Sequence, residues 1–274
     1  MPTYLAEIVA AHRRAAAGDD RDPDRLVAEA RAAPAAPPFV EALLACPGLA
    51  VIAEVKRRSP SKGPLAPDLD PAALAAGYAA GGASCLSVLT DHDYFGGSPA
   101  DLAAARRASG LPALRKDFTV SVADVCDARR MGASAVLLIV AALTDDELAR
   151  FVSLADQLDL DALVEVHGDD ELERALAAGA RIVGVNQRDL TTFAVDDERA
   201  ERLAAAIPAG VVAVAESGIT DWRDAARLAA AGYQAVLVGE SLVRAPDAVA
   251  AVAALAGHPV GSRPARAGGR LGAR

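Results

Sequence analysis

Aromatic side chains make up only 4% of the 274 residues, with one Trp, four Tyr and five Phe. Any large core must therefore be built from Val, Leu, Ile and Ala, within a hydrophobic content of 53%. Cysteine is equally sparse. Cys46, Cys85 and Cys126 form no CxxC pair and no even set, which excludes a disulfide scaffold and reads as small buried side chains in a reducing cytoplasm. Basic residues are outnumbered, and the formal net charge of −9 speaks against general nucleic-acid binding. It leaves room for an anionic small molecule, because the local field outweighs the total. The longest strongly apolar run, Ala133 to Leu143, is too short to span a bilayer. The opening Met-Pro-Thr-Tyr-Leu-Ala-Glu has no basic region followed by an apolar stretch, so no secretory signal is expected. The expectation is a soluble cytoplasmic protein without membrane or nucleic-acid partners.

What is present is alternation. Short β-branched runs fall at 51–55, 85–89, 112–115, 135–140, 162–166, 181–185, 211–215 and 235–238. Ala-rich segments of helical character separate them, at 71–81, 99–109, 121–131, 145–158, 169–178, 197–206, 221–231 and 246–256. Asp70-Pro71, Ser98-Pro99, Thr144 and Asp221 supply helix starts; Gly81-Gly82, Gly110, Gly132, Gly179 and Gly232 supply stops. Eight strand–helix units in strict order predict a parallel sheet, and eight is the number that closes a (β/α)₈ TIM barrel. An open doubly wound sheet is the alternative, but no Gly-x-Gly-x-x-Gly follows the first strand. The barrel is expected over 48–257. Ahead of it, 1–47 reads as a helical extension, with helices at Tyr4 to Ala17 and Asp24 to Ala33 broken by Pro34 to Pro38. Leu5, Ile8 and Val9 give it an apolar face to pack on the barrel. Residues 258–274, rich in Gly, Arg, Pro and Ala, read as a disordered tail.

Barrel chemistry sits at the C-terminal ends of the strands. The first strand ends in Glu54 and Lys56, two apart and so on one face, with Ser59 beyond and Pro60 stopping the ladder. A charged pair at the end of a buried strand is costly to keep. The third ends in Lys116 and Phe118, the fifth in Glu165, the sixth in Asn186 and Arg188, the seventh in Glu216-Ser217-Gly218 and the eighth in Gly239-Glu240-Ser241. Three carboxylates, two lysines, an amide and a guanidinium would thus converge on one mouth. Lysines among carboxylates are held charged as acids, while a partly desolvated Glu serves as a base. The small residues of loops seven and eight, each ahead of a helix, suit a phosphate. A phosphorylated small-molecule substrate is the expected partner.

Seven segments carry a more specific signal: Ala53 to Gly63, Ser87 to Thr90 with Tyr94 to Ser98, Leu114 to Phe118, Leu163 to His167, Gly184 to Leu190, Ala215 to Ile219 and Val236 to Leu242. Together, in this order and over about residues 4 to 256, they resemble the indole-3-glycerol-phosphate synthase family. The resemblance implies a (β/α)₈ barrel with an N-terminal helical extension, acting in tryptophan biosynthesis without metal or organic cofactor, as a monomer or weak homodimer. The reaction it implies is ring closure of 1-(2-carboxyphenylamino)-1-deoxyribulose 5-phosphate with loss of CO2 and H2O. It also implies roles. Lys116 is the general acid of ring closure and Glu165 the general base in dehydration. Lys56 serves phosphate binding and is open to acid catalysis, while Glu54 and Glu216 position the lysines. Asn186 holds a substrate hydroxyl. Arg188 and Ser59 face the anthranilate carboxylate, for which a guanidinium fork is suited. Phe95 and Phe118 flank the aromatic ring, and Leu237 belongs to the substrate contacts. Ser217, Gly218, Gly239 and Glu240 match the phosphate loops, Glu240 through its backbone N–H.

Simpler readings stand beside these. Glu54–Lys56 alone is equally a structural ion pair at a barrel rim. Lys116 in a phosphate-binding barrel would also suit a Schiff-base aldolase, and a non-catalytic phosphate-binding barrel is a third possibility. Asp91-His92-Asp93 has metal-ligand residue types, but neighbours cannot all face one ion, and it reads as a solvated loop. His167 reads as a loop residue and Trp222 as packing at a helix start.

Overall fold

The computed structural model describes residues 4–59, 62–189 and 192–263. Its eight main strands are β1 (Ala50–Val55), β2 (Cys85–Leu89), β3 (Ala113–Lys116), β4 (Ala135–Ile139), β5 (Asp161–Val166), β6 (Ile182–Asn186), β7 (Val212–Glu216) and β8 (Ala235–Val238). All pair in parallel with their sequence neighbours, and β1 pairs with both β2 and β8 to close the barrel. The (β/α)₈ architecture expected from the alternation is what the chain adopts.

The helices outside the barrel wall are α4 (Pro71–Ala80), α5 (Pro99–Ser109), α6 (Val122–Arg130), α7 (Asp145–Gln157), α8 (Asp169–Ala177), α9 (Arg199–Ala204), α10 (Trp222–Ala230), α11 (Glu240–Val243) and α12 (Ala248–Leu255). Their starts use the caps legible in the sequence: Asp70, Ser98 and Thr144 accept backbone N–H bonds, and Thr144 with Glu147 completes a capping box. Gly110 ends α5 with φ of 72°, a conformation open to glycine at little cost.

Two layers of apolar side chains follow from the strand period of two. Val51, Ala53, Leu86, Val88, Val136 and Val164 point outward against the helices. Ala50, Ile52, Cys85, Leu114, Leu137, Leu163, Ile182, Val214 and Leu237 fill the interior.

The segment ahead of β1 runs from one end of the barrel to the other. Its first helix, α1 (Tyr4–Ala17), places Tyr4, Leu5 and Ile8 in the lining of the cavity at the mouth. The second, α2 (Pro23–Ala32), packs beside α6; there the buried Arg129 donates to the carbonyls of Ala33, Pro34 and Leu158. A third helix, α3 (Phe39–Leu44), inserts Phe39 and Leu43 into the interior layer and closes the floor. The residue pattern gave no expectation of α3. It is six residues long, and Pro38 at its start makes no side-chain cap.

Of the tail expected from His258, residues 258–263 lie against the floor. Leu49 N–H donates to the His258 carbonyl at 2.8 Å, Gly261 N–H to Ala229 at 2.8 Å, and Arg263 to Val211 at 2.6 Å. Two are backbone contacts and the third comes from the Arg263 guanidinium, so no apolar period is left to read. Residues 264–274 and the stop at Pro60 lie outside the described residues. Cys85 and Cys126 are buried and Cys46 is half-buried, all three free. Trp222 opens α10 but stands 53% exposed, with the Arg223 guanidinium 5.3 Å over its ring.

Candidate active site

The interior layer, continued two residues further along four of the strands, becomes charged. Above Ile52 stands Glu54; above Leu114, Lys116; above Leu163, Glu165; above Val214, Glu216. On β6, Ile182 is followed by Gly184 and then Asn186. The barrel register sets Asn186 beside Glu216 and Glu54 beside Ser87. The same alternation that packs the core thus delivers the polar groups to one plane.

They form two clusters. In one, Lys116 Nζ donates to Glu165 Oε2 at 3.0 Å and to Glu216 Oε2 at 3.2 Å, and Asn186 Nδ2 donates to Glu165 Oε1 at 3.1 Å. Burial alone would lower the Lys116 pKa, but Glu165, Glu216 and Glu54 more than reverse it and keep the ammonium protonated. Burial also opposes ionisation of Glu165. The Lys116 charge, then His167 and the Asn186 amide, outweigh it and hold this carboxyl below the usual range. Glu216 goes the other way: burial, reinforced by the Glu165 charge and only partly offset by Lys116, pushes it up to about 7. Two carboxylates sharing one cation cannot both stay ionised cheaply, so their environments drive them apart.

The second cluster is smaller. Lys56 forms an ion pair with Glu54, whose other oxygen accepts from the buried Ser87 Oγ at 3.3 Å. Gly239 lies against this pair. A methyl group there would meet Glu54 Oε1 and come within 3.0 Å of Lys56 Nζ. Gly184 has the matching position on the other side, where a methyl group would collide with Glu216 Oε1. Both glycines are space for a charged side chain.

A cavity of about 610 Å³ opens above these clusters. Glu54, Lys56, Ser59, Phe95, Lys116, Phe118, Glu165, Asn186, Arg188, Glu216, Ser217, Gly218, Leu237, Gly239 and Glu240 all line it, so every residue expected to act on or bind the substrate comes to one site. Ser59 Oγ is buried without a hydrogen-bond partner. Arg188 N–H donates to Asn186 Oδ1 at 3.0 Å, while its guanidinium reaches the Phe193 carbonyl at 3.1 Å. Phe95 and Phe118 stand with ring centroids 6.1 Å apart and planes tilted by 39°. Ser217 and Gly218 both take positive φ, at 66° and 72°. Ser241 Oγ ties loop eight to the Ile219 carbonyl of loop seven at 3.0 Å.

Other lining residues had no signal strong enough to single them out. Arg244 lies one helical turn after Glu240 and 3.8 Å from its carboxylate, which draws the acidic side chain toward a cation and adds positive charge beside loops seven and eight. Tyr4, Leu5 and Ile8 come from α1, which the sequence marks only as amphipathic. Polar contacts add to its hold on the rim. His12 Nε2 lies 3.0 Å from Asp91 Oδ2, and Arg13 bonds both Glu147 oxygens and the Ala142 carbonyl. The His12 ring also stacks 5.3 Å from Phe118.

In the Asp91-His92-Asp93 loop, Asp91 is buried and accepts from the backbone N–H groups of Tyr94 and Phe95, whereas His92 and Asp93 are exposed. Asp91, His12 and Asp117 bring ligand atoms within 4.8 Å of one another. Asp117 is already engaged by Arg115, Thr90 and the Phe118 N–H, so the group works as the socket for α1.

Comparison with known proteins bears on the whole chain. Residues 5–255 match the family model described as indole-3-glycerol phosphate synthase. The protein of that name from Rhodococcus jostii (strain RHA1) is 50% identical over 240 residues, covering 86% of this chain and 89% of its own. The one from Nocardioides sp. (strain ATCC BAA-499 / JS614) is 56% identical over 210 residues, covering 77% and 81%. Among solved structures, a thiamine phosphate pyrophosphorylase from Pyrococcus furiosus superimposes with a TM-score of 0.57 at 17% identity, over 76% of this chain and 93% of its own. An N-acetylmannosamine-6-phosphate 2-epimerase from Clostridium perfringens gives 0.58 at 14%, over 73% and 90%. At such identities these two speak to the barrel alone.

Proposed function

The chain belongs to the indole-3-glycerol phosphate synthase family, and from that premise we propose how its mouth closes the indole ring. The reaction converts 1-(2-carboxyphenylamino)-1-deoxyribulose 5-phosphate to indole-3-glycerol phosphate, CO2 and H2O, a carboxy-lyase step of tryptophan biosynthesis. The aromatic carbon bearing the carboxylate attacks the ribulose carbonyl, and Lys116 donates a proton to the carbonyl oxygen. CO2 leaves and aromaticity returns. Glu165 removes a proton from the methylene carbon beside nitrogen and passes it to Lys116, which supplies the second proton with which the new hydroxyl departs as water. No electron acceptor or donor enters, so proton transfer suffices and we assign no cofactor.

The observation that carries this reading is the position of Lys116, held charged at the base of the cavity within 3.2 Å of two buried carboxylates. An acid and a base in contact, with environments that separate their proton affinities, is the arrangement such chemistry requires. Glu216 and Glu54 position the lysines, and Asn186 meets a substrate hydroxyl while orienting Glu165. Lys56, beside Gly239, faces the phosphate end. There the backbone of Ser217, Gly218, Gly239 and Glu240 receives the phosphate, with Leu237 beneath. Ser59 and Arg188 take the carboxylate, and Phe95 and Phe118 the aromatic ring.

The remaining assignments are a monomer or weak homodimer acting in the cytoplasm on a phosphorylated small molecule, without nucleic acid. Among the described residues no helix is long and apolar enough to cross a membrane. The test is indole fluorescence on mixing purified protein with the substrate, beside Lys116→Ala and Glu165→Gln. Product from the parent and its collapse in both variants support the roles. Trapping of Lys116 by borohydride with a carbonyl substrate would instead favour a Schiff-base enzyme.

A further inference from the structure

The ring closure needs a proton that the substrate does not carry. Its carboxylate is an anion, and both CO2 and H2O leave neutral, so each turnover takes one proton from solution. Counted by atoms, the carbonyl oxygen gains two protons on its way to water and the methylene carbon returns one. Lys116, Glu165 and Glu216 lie at the base of the cavity with side chains 15%, 3% and 2% exposed. With substrate above them, the proton needs another way in.

His167 lies on such a way. Its Nε2 is buried without a hydrogen-bond partner and sits 3.6 Å from Glu165 Oε1. On the far side of the ring, Nδ1 lies 3.1 Å from Glu171 Oε2, which also accepts the His167 backbone N–H at 2.8 Å. That double hold sets the resting position of the ring. Glu171, in the first turn of α8, is 24% exposed and reaches water. The ionisable groups acting on the imidazole are Glu171, Glu165 and Glu216, all acidic, so a proton on the ring is favoured despite burial.

We propose that His167, backed by Glu171, is a positioning residue that reloads the Glu165–Lys116 pair with a proton from solvent after each ring closure. This rests on the roles given above to Lys116 and Glu165. When Lys116 has lost a proton to the carbonyl oxygen, the Nε2–H of His167 passes to Glu165 Oε1. A turn of the carboxyl group brings that same proton to Lys116 Nζ, which takes it and leaves Glu165 ionised again. The ring is left neutral with its proton on Nδ1; a swing of the side chain presents the empty Nε2 to Glu171, which hands over a proton taken from water, and the swing back returns Nε2–H to Glu165. Only N–H and O–H bonds change, and one proton moves inward per cycle. The separation of 3.6 Å closes by rotation of either side chain, as such contacts do when a site is occupied.

The test separates the first turnover from the later ones, because the pair starts loaded. With substrate in excess, stopped-flow indole fluorescence of His167→Ala should show one equivalent formed at the parent's rate, then a steady state slower by about tenfold or more. Imidazole in the buffer should restore the second phase. Glu171→Gln, which keeps the shape, should show the same split more weakly. A steady state unchanged in His167→Ala overturns the proposal. So does an equal slowing of both phases that imidazole does not relieve, since that marks a structural role. A parent that forms no product overturns the relay together with the reading beneath it.

Discussion

The two lysines of the mouth differ in company more than in depth. Their side chains are 16% and 15% exposed, yet Lys56 faces one carboxylate and Lys116 faces two. A one-to-one pair is electrically closed and leaves little reason for a proton to move. Two carboxylates on one ammonium leave a net negative charge in a dry place, and the structure relieves it by raising Glu216 and lowering Glu165. The lesson is that proton chemistry follows the imbalance of a buried cluster, while a balanced one serves to hold charge in position.

The sharpest way to break this contrast is to remove each lysine with an apolar isostere. Lys116→Met should cut kcat by about 10²- to 10⁴-fold, the range of a lost acid–base group, whereas Lys56→Met should act mainly on KM. Steady-state fluorescence assays of the pair decide it, and equal losses in kcat would erase the distinction.

The glycines probe the same clusters by displacement. Gly184→Ala pushes Glu216 off its position and should lower kcat by about a hundredfold, as a misplacement of an ångström does. Gly239→Ala presses on Glu54 and Lys56 instead and should raise KM for the phosphorylated substrate. Assaying the two side by side checks whether the clusters keep separate roles.

Glu216→Gln sharpens the comparison through stability. A carboxyl raised to about 7 in the folded protein binds more protons than the unfolded chain between about pH 4.5 and 7. Its contribution is therefore full at low pH and is lost as pH rises through that window. The amide escapes this loss, so the variant should melt higher than the parent at pH 8, with the advantage fading toward pH 5. Parallel melting curves that never diverge would count against a raised Glu216.

The smallest effect is expected at the roof. The hydrogen bond to Asp91 raises the His12 pKa against the opposing effect of burial. His12→Ala removes one contact of α1 with the rim and should raise KM about threefold, in line with one partly exposed hydrogen bond, with kcat unchanged.

Glu54, Lys116, Glu165, Asn186 and Glu216 were legible because one rule, the period of two, both buries a strand and aims its last side chain. The roof was not. Leu5 and Ile8 mark an apolar face, but a face does not say which end of a barrel it covers; His12, Arg13 and their partners across the chain decide that. Helix α3 escaped because six residues without a side-chain cap carry no period. His167 lies two residues past Glu165 but reads as a loop residue, because its hold comes from Glu171 on a helix turn, a contact that spacing alone does not reveal.

The closure of the barrel between β1 and β8 sets a timetable for the growing chain. β1 carries Glu54, with Lys56 just beyond it, early in synthesis, yet its second neighbour arrives only with residues 235–238, and Leu49 waits longer still for His258. Contacts this distant in sequence form late. Until then the lysines and glutamates of the mouth remain hydrated, and the cost of burying them falls in the final step, when each already has its partner within reach. A nascent chain halted before residue 235 would hold all of the catalytic side chains but not the closed barrel that encloses them.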